Sequence, residues 1–150
     1  QEVIIASGWL TERGFSVDIW SVTSYTELYR DASQVSRARL LNPDSDEIAY
    51  IASVSKEEQG IVVAASDFMK TLPASIASAV PLPFIALGTD GFGLSEDRAD
   101  LRDYFEVSAR YIAWAALTAL FNEGLITKEA LGEYRSDLGI ATHKADPTDG

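Results

Sequence analysis

Two short runs of apolar residues, 61–65 (Ile-Val-Val-Ala-Ala) and 84–87 (Phe-Ile-Ala-Leu), constrain the fold of this chain more than any other feature of its sequence. Each run is apolar on both faces, a pattern typical of buried parallel strands. Residues 17–22 (Val-Asp-Ile-Trp-Ser-Val) alternate and predict a third strand. Strands that alternate with helices predict an α/β fold with three layers, α/β/α, around a mainly parallel sheet.

Helical spacing and capping signals surround these strands. The pattern favours a helix over residues 1–13 that ends at Gly14, and a strand over residues 3–6 remains the alternative. Residues 105–121 are apolar on nearly all sides, which predicts a helix buried on more than one face. Residues 43–59 are predicted as a loop or a short irregular helix. The other predicted helices cover residues 24–41 with Ser24 as cap, 68–80, 97–103, and 128–137 with Thr127 as cap.

Cysteine and histidine, which serve often in catalysis and metal binding, are almost absent from the chain. The 150-residue chain has no cysteine and one histidine, His143, which excludes thiolate nucleophiles, disulfides and multi-histidine metal sites. The formal net charge of −11 disfavours nucleic-acid binding, because an acidic surface repels phosphates. The longest apolar stretch, residues 111–121, is too short to cross a bilayer. With no recognisable targeting segment, we expect a cytoplasmic protein that binds no membrane.

The carboxyl ends of the predicted strands are the usual place for a ligand in an α/β sheet. The loop at residues 88–93 (Gly-Thr-Asp-Gly-Phe-Gly) could approach an anion, but it lacks the glycine order of a dinucleotide loop and acidic residues follow it. Asp67 and Asp90 each follow a strand, and they could hold Mg²⁺ or serve as a helix cap and a turn residue. A hydrolase would need His143, which lies in a polar tail predicted to be frayed. The residues alone therefore identify no catalytic centre.

Several segments, taken in order, resemble a single family. It is the C-terminal domain of the homodimeric pyruvate dehydrogenase (acetyl-transferring) component, the decarboxylating first enzyme of its complex. The segments are residues 17–31 (Val-Asp-Ile-Trp-Ser-Val-Thr-Ser-Tyr-Thr-Glu-Leu-Tyr-Arg-Asp), 37–43, 62–70 (Val-Val-Ala-Ala-Ser-Asp-Phe-Met-Lys), 87–98 (Leu-Gly-Thr-Asp-Gly-Phe-Gly-Leu-Ser-Glu-Asp-Arg) and 101–109. The resemblance covers residues 1–140, which we take as one domain, and leaves residues 141–150 as the polar tail.

The chain departs from the family pattern at three positions and at its start. Asn42, Leu94 and Ser108 stand where the family usually has histidine, arginine and aspartate. The family also has a strand before the helix that matches residues 1–13. The resemblance therefore implies a transketolase C-terminal-like domain that lacks one strand at its N-terminus and is part of a larger chain.

The resemblance also implies a function. The parent enzyme has three α/β domains, works as a dimer, and binds thiamine diphosphate and Mg²⁺ between its first two domains. There pyruvate is decarboxylated, and the acetyl group passes to the lipoyl arm of a partner acyltransferase. The third domain packs and assembles. We therefore expect this segment to bind no cofactor or metal, to hold no catalytic residue, to be inactive alone, and to self-associate through residues 105–121 and Trp9.

The residues expected to form a loop site or an interface lie at the strand ends and in the following loop. They are Thr23, Asp67, Thr89, Asp90, Phe92, Ser95 and Arg98. The alternative function is a free-standing acidic α/β regulatory module that binds Mg²⁺ or a small anion at the same strand ends.

Overall fold

The chain folds into helices arranged about a short parallel sheet. The structure, a computed structural model, describes residues 1–90 and 97–147. The elements are α1 (Glu2–Thr11), α2 (Tyr25–Leu41), α3 (Tyr50–Val54), β1 (Val62–Ala65), α4 (Thr71–Ala74), a 3₁₀ turn (Ala77–Ala79), β2 (Phe84–Leu87), α5 (Arg98–Tyr104), α6 (Ala109–Asn122) and α7 (Lys128–Leu138). The predicted α/β class is confirmed.

The two strands formed where the apolar runs predicted them. They pair in parallel, with Val62 opposite Phe84 and Ala65 opposite Leu87. Helix α6 contacts both strands, and α1 and α7 pack against it. Helix α4 also contacts both strands, and α2 packs against it. Two separate groups of helices therefore cover the sheet, which positions the strand ends between them.

The hydrophobic core lies where α1, α6 and α7 meet. Helix α6 is buried on several sides, as its all-round apolar pattern predicted. Much of this burial is against other helices of the same chain, and self-association through residues 105–121 and Trp9 stays a prediction. Trp9 also packs internally, with its ring 5.8 Å from that of Tyr134. The buried cluster consists of Ala6, Leu10, Ile112, Ala113, Ala116, Leu117 and Leu138.

The structure confirms the helix ends that were predicted from capping residues. The first element is the predicted helix and not the alternative strand, and the chain turns after it at Gly14, where φ is +88°. Ser24 Oγ accepts a hydrogen bond from the Glu27 amide at 3.2 Å, and Thr127 Oγ1 accepts one from the Ala130 amide at 3.2 Å. The short α3 occupies the segment predicted as loop or irregular helix.

The strand predicted over residues 17–22 is absent. Phe15 and Val17 pack on the core, but Ile19 and Trp20 are about half exposed. The alternating pattern fixes which side chains share a face, but a strand also needs a partner for its amides and carbonyls. Within the described residues the sheet has two strands, so none pairs with this segment, and none precedes α1.

Two predicted helices have different bounds in the structure. Residues 68–80 form only α4 and the 3₁₀ turn, because Pro73 lacks an amide hydrogen and the Ser75 hydroxyl bonds to the Leu72 carbonyl. Helix α6 begins at residue 109 and not at 105, since Glu106 adopts a left-handed φ of +60°. No helix in residues 1–90 and 97–147 has the length and apolar character needed to cross a bilayer.

Candidate functional site

The turns that follow β1 and β2 are fastened to each other. Thr89 donates twice to the first turn, from its hydroxyl to the Asp67 carbonyl at 2.7 Å and from its amide to the Phe68 carbonyl at 3.0 Å. The Lys70 amide donates to Asp90 Oδ1 at 2.8 Å. The structure thus brings together Asp67, Thr89 and Asp90, three of the residues singled out in the sequence.

A glycine makes this close approach possible. A Cβ at position 88 would lie 2.4 Å from the Lys70 nitrogen and 2.6 Å from the Phe68 oxygen, distances that real side chains do not adopt. The Phe68 amide also donates to Ser66 Oγ at 3.0 Å. Hydrogen bonds from within the turn and from residues 89 and 90 therefore fix the position of residues 66–70, here called the strand-end turn.

The strand-end turn presents two apolar side chains to solvent. Phe68 is 71% exposed and Met69 is 63% exposed. Single exposed apolar side chains are common on protein surfaces. Two adjacent ones on a turn that hydrogen bonds hold in place form a preorganised apolar surface. The spacing of Phe68 and Met69 in the sequence gave no signal of this, because a helix was predicted there.

The two carboxylates at the strand ends are already paired with cations. Asp90 Oδ2 lies 3.8 Å from Lys70 Nζ, and Asp67 Oδ2 lies 3.9 Å from Arg102 Nη2. The residues that the structure describes contain no group of three or more His, Cys, Asp or Glu able to hold a metal ion. This geometry supports the turn role of Asp90 over a Mg²⁺ site. Asp67 does not cap α4, which begins four residues later without a side-chain cap.

A second charged cluster connects three helices. Arg110 forms a two-pronged ion pair with Asp103, with Nε 2.5 Å from Oδ1, and Ser108 Oγ also donates to Asp103 at 3.2 Å. Hydrogen bonds from Arg110 lower the pKa of the Asp103 carboxyl below its usual value. Asp103 in turn raises the pKa of Arg110. Arg110 Nη1 also donates to the Gly139 carbonyl at 2.9 Å, which ties the end of α7 to α5 and α6.

The first helix contributes a remote cap to this region. Glu2 Oε2 accepts a hydrogen bond from the Ala109 amide at 2.9 Å, and Glu2 Oε1 lies 3.2 Å from Arg102 Nη1. Helix α6 thus receives an N-terminal acceptor from a residue 107 positions earlier, although Ser108 stands next to it. Sequence reasoning missed this pair, because no local spacing reports a contact of such separation.

The described part of the polar tail, residues 141–147, is anchored through Lys144, so the prediction of a frayed tail is wrong for these residues. Lys144 Nζ donates to the carbonyls of Asp103 at 2.6 Å and Tyr104 at 2.9 Å, and it lies 3.5 Å from Glu106 Oε1. It also lies 4.5 Å from the centroid of the Tyr111 ring. The tail thereby lines a cleft of about 250 Å³ that extends to the strand ends.

Two of the remaining candidate residues, Thr23 and Arg98, take no part in the contacts at the strand ends. Thr23 and Arg98 are exposed, and within residues 1–90 and 97–147 their side chains make no hydrogen bond or ion pair. Phe92 and Ser95 lie outside the described residues. His143 is exposed, which fits a tail residue and offers no support for a hydrolase.

Comparison with known proteins places these observations in a family. Residues 1–108 match the family described as the transketolase-like C-terminal domain. Similar proteins named pyruvate dehydrogenase E1 component occur in Cupriavidus necator, with 35% identity over 98% of this chain and 17% of the relative, and in Escherichia coli K12, with 38% over 89% and 15%. The protein of that name from Buchnera aphidicola of Schizaphis graminum is 41% identical over 88% of this chain and 15% of its own length.

The chain therefore spans only 15% to 17% of the length of these relatives. The family match nevertheless extends over most of the chain, and it includes both strands and the braced strand-end turn. It ends at residue 108, one residue before α6 begins. On these grounds the chain belongs to the transketolase-like C-terminal domain family.

Proposed function

We propose that this chain is the C-terminal domain of a thiamine diphosphate-dependent pyruvate dehydrogenase, and that it serves assembly and not chemistry. The observation that carries the proposal is the similarity of 88% to 98% of the chain to proteins named pyruvate dehydrogenase E1 component. The longer polypeptide would decarboxylate pyruvate in the cytoplasm and acetylate the lipoyl group of a partner acyltransferase. It would work as a homodimer.

Among the residues that the structure describes, the carboxylates best placed to bind the Mg²⁺ of thiamine diphosphate are already paired with cations. A diphosphate-bound Mg²⁺ needs protein oxygen ligands, and the described part of the chain offers no cluster of three acidic or histidine side chains. Asp67 and Asp90, the acids best placed by topology, already face Arg102 and Lys70. In our proposal the cofactor belongs to other parts of the longer polypeptide, and this chain holds no catalytic residue.

The assembly role is supported by the apolar side chains that the fold leaves outside. Helix α1 buries Ala6 and Leu10 but exposes Ile4 by 65% and Ile5 by 52%. An apolar face that a helix exposes to water is typical of a surface that another part of a protein covers. Together with the strand-end turn, this outer face of α1 gives the domain two apolar surfaces for other parts of the enzyme.

A chimera tests the proposal. The 136 residues of the Escherichia coli relative that align with this chain are replaced by the chain, and the product is tested for dimerisation and for pyruvate decarboxylation. We expect a dimer that turns over pyruvate. A folded dimeric chimera without turnover contradicts the proposal.

The chain alone provides the complementary measurement. Calorimetric titration of the 150-residue chain with thiamine diphosphate and Mg²⁺ should show no binding, and incubation with pyruvate should release no carbon dioxide. Tight cofactor binding or turnover by the chain alone would refute the inert assembly role. Binding of Mg²⁺ alone that Asp67→Asn or Asp90→Asn abolishes would support the regulatory module instead.

A further inference from the structure

We propose that the C-terminal end of α5 is a binding site for a primary ammonium group, and that the chain fills it with its own Lys144 to latch the tail closed. The inference concerns the cluster at α5, α6 and the tail, and it does not depend on the proposed enzyme function. It begins from the contacts of the ammonium nitrogen.

Lys144 Nζ meets three oxygen atoms and one aromatic ring. The oxygens are the carbonyls of Asp103 and Tyr104, at 2.6 and 2.9 Å, and Glu106 Oε1 at 3.5 Å. The ring is that of Tyr111, whose centroid lies 4.5 Å from the nitrogen. A primary ammonium has three N–H donors and no acceptor, so three oxygens and an aromatic ring around the nitrogen match its chemistry. We call this set the ammonium cage.

The protein supplies the cage with negative potential from independent sources. Asp103 and Tyr104 are the last two residues of α5, so their carbonyls stand at the negative end of the helix. Glu106 adds a negative charge from a backbone with φ of +60°, a conformation that is strained for a residue other than glycine. The Asp103 carboxylate is ion-paired with Arg110 and adds to the attraction for Lys144 without touching its nitrogen, so the direct contacts of the cage come from the two carbonyls and Glu106.

Occupation of the cage determines the shape of the adjacent cleft. The cleft of about 250 Å³ has Lys70, Gly88 and Asp90 on its strand side. Phe105 and Glu106 line it beside α5, and Ala145 and Pro147 of the tail also line it. The side chain of Lys144 is only 23% exposed. The tail therefore cannot move away from the cleft unless the Lys144 ammonium leaves the ammonium cage. The cage is therefore a latch that couples the tail to the strand ends.

Chemical rescue tests the ammonium site. Lys144→Ala is made in the full 150-residue chain, with Lys128→Ala as the matched control, since Lys128 is exposed and carries the same charge. Hydrogen exchange is followed by mass spectrometry in peptides that cover residues 104–111 and 141–147. We expect exchange in both peptides to rise about tenfold or more in Lys144→Ala, and to stay unchanged in Lys128→Ala.

The rescue itself uses n-propylammonium chloride. It should restore protection at residues 104–111 but not at residues 141–147, whereas tetramethylammonium chloride and sodium chloride at equal concentration should restore neither. Equal recovery with all three salts, no recovery with propylammonium, or unchanged exchange in Lys144→Ala each overturns the proposal. If the alanine variant does not fold, Lys144→Met keeps the alkyl stem, and its exchange at residues 104–111 must still rise. None of these outcomes bears on the pyruvate dehydrogenase proposal.

Discussion

Gly88 has no side chain, and this lets the turn that follows β2 approach the strand-end turn that follows β1. The hydrogen bonds from Thr89 to the backbone of residues 67 and 68 require the turns to be this close. The sequence shows a glycine-rich loop there, which suggested an anion site. The structure assigns Gly88 to the close approach of two backbones, a role that no spacing of glycines reveals.

Gly88→Ala should destabilise the fold by about 1–3 kcal/mol, because the added Cβ would overlap backbone atoms of Lys70 and Phe68. Urea denaturation measures the free energy of unfolding. Gly132→Ala is the matched control, since Gly132 lies within α7 with open space around it, and there alanine should stabilise by roughly 0.5–1 kcal/mol. Similar effects at the two positions would contradict the role given to Gly88.

Asp103 should give the protein an acid-sensitive step in stability. Its pKa is lowered in the folded state, so its contribution is fully present above the unfolded value near 3.8 and is lost as pH falls below it. Asp103→Asn should flatten the dependence of the unfolding free energy on pH below about pH 5. Asp103 and Arg110 are each 37% exposed, and we expect a loss of only about 1 kcal/mol near neutral pH.

The surface pair of Asp137 with Arg13 serves as the control for this measurement. Asp137 is 56% exposed and lies 3.5 Å from Arg13, so solvent screens the attraction. Asp137→Asn should change the unfolding free energy near neutral pH by no more than about 0.5 kcal/mol. A wild-type curve as flat as that of Asp103→Asn would show that the carboxyl of Asp103 does not stabilise the fold.

At the scale of elements, local signals predicted what depends on local chemistry. The caps at Ser24 and Thr127 and the apolar runs of β1 and β2 follow from neighbouring residues, and all were predicted. The strand predicted over residues 17–22 was wrong because strand pairing depends on distant residues. The predicted start of α6 was wrong because Glu106 takes the left-handed position after α5, where glycine is the usual sequence signal. The same holds for the site, where topology predicted Asp67 near Asp90 but no pattern predicted Lys144 on α5.

Helix α6 should be the element whose packing matters most for stability. Leu117 is fully buried where α1, α6 and α7 meet, so Leu117→Ala should cost about 2–5 kcal/mol through lost contacts and a cavity. The control Leu125→Ala removes the same atoms from a side chain that is 63% exposed. Its effect should be well under half as large, as thermal denaturation of both variants would show.

At the scale of the whole molecule, net charge and exposed apolar surface act against each other. A charge of −11 on 150 residues opposes association between copies of the chain. Phe68, Met69, Ile4 and Ile5 favour it, since association removes their surface from water. Salt screens the repulsion, so association should strengthen as ionic strength rises.

Self-association should depend on the strand-end turn. Phe68→Ser together with Met69→Ser should shift the chain toward monomers in sedimentation velocity at about 0.15 M salt, and should reduce the binding of a hydrophobic dye. The melting temperature should change little, because both side chains are exposed. Leu125→Ser is the control. A wild-type chain that is monomeric at all concentrations and does not bind the dye would refute this prediction.

The contact of Glu2 with Ala109 has a consequence for how the protein is made. Within this domain α1 is synthesised before α6, the helix on which it packs, which follows about a hundred residues later. Until α6 is made, Ala6 and Leu10 have no surface to pack against, so the nascent domain stays unfolded and is exposed to chaperones and proteases. Folding of this domain should therefore complete only after the codons for α6 have been read.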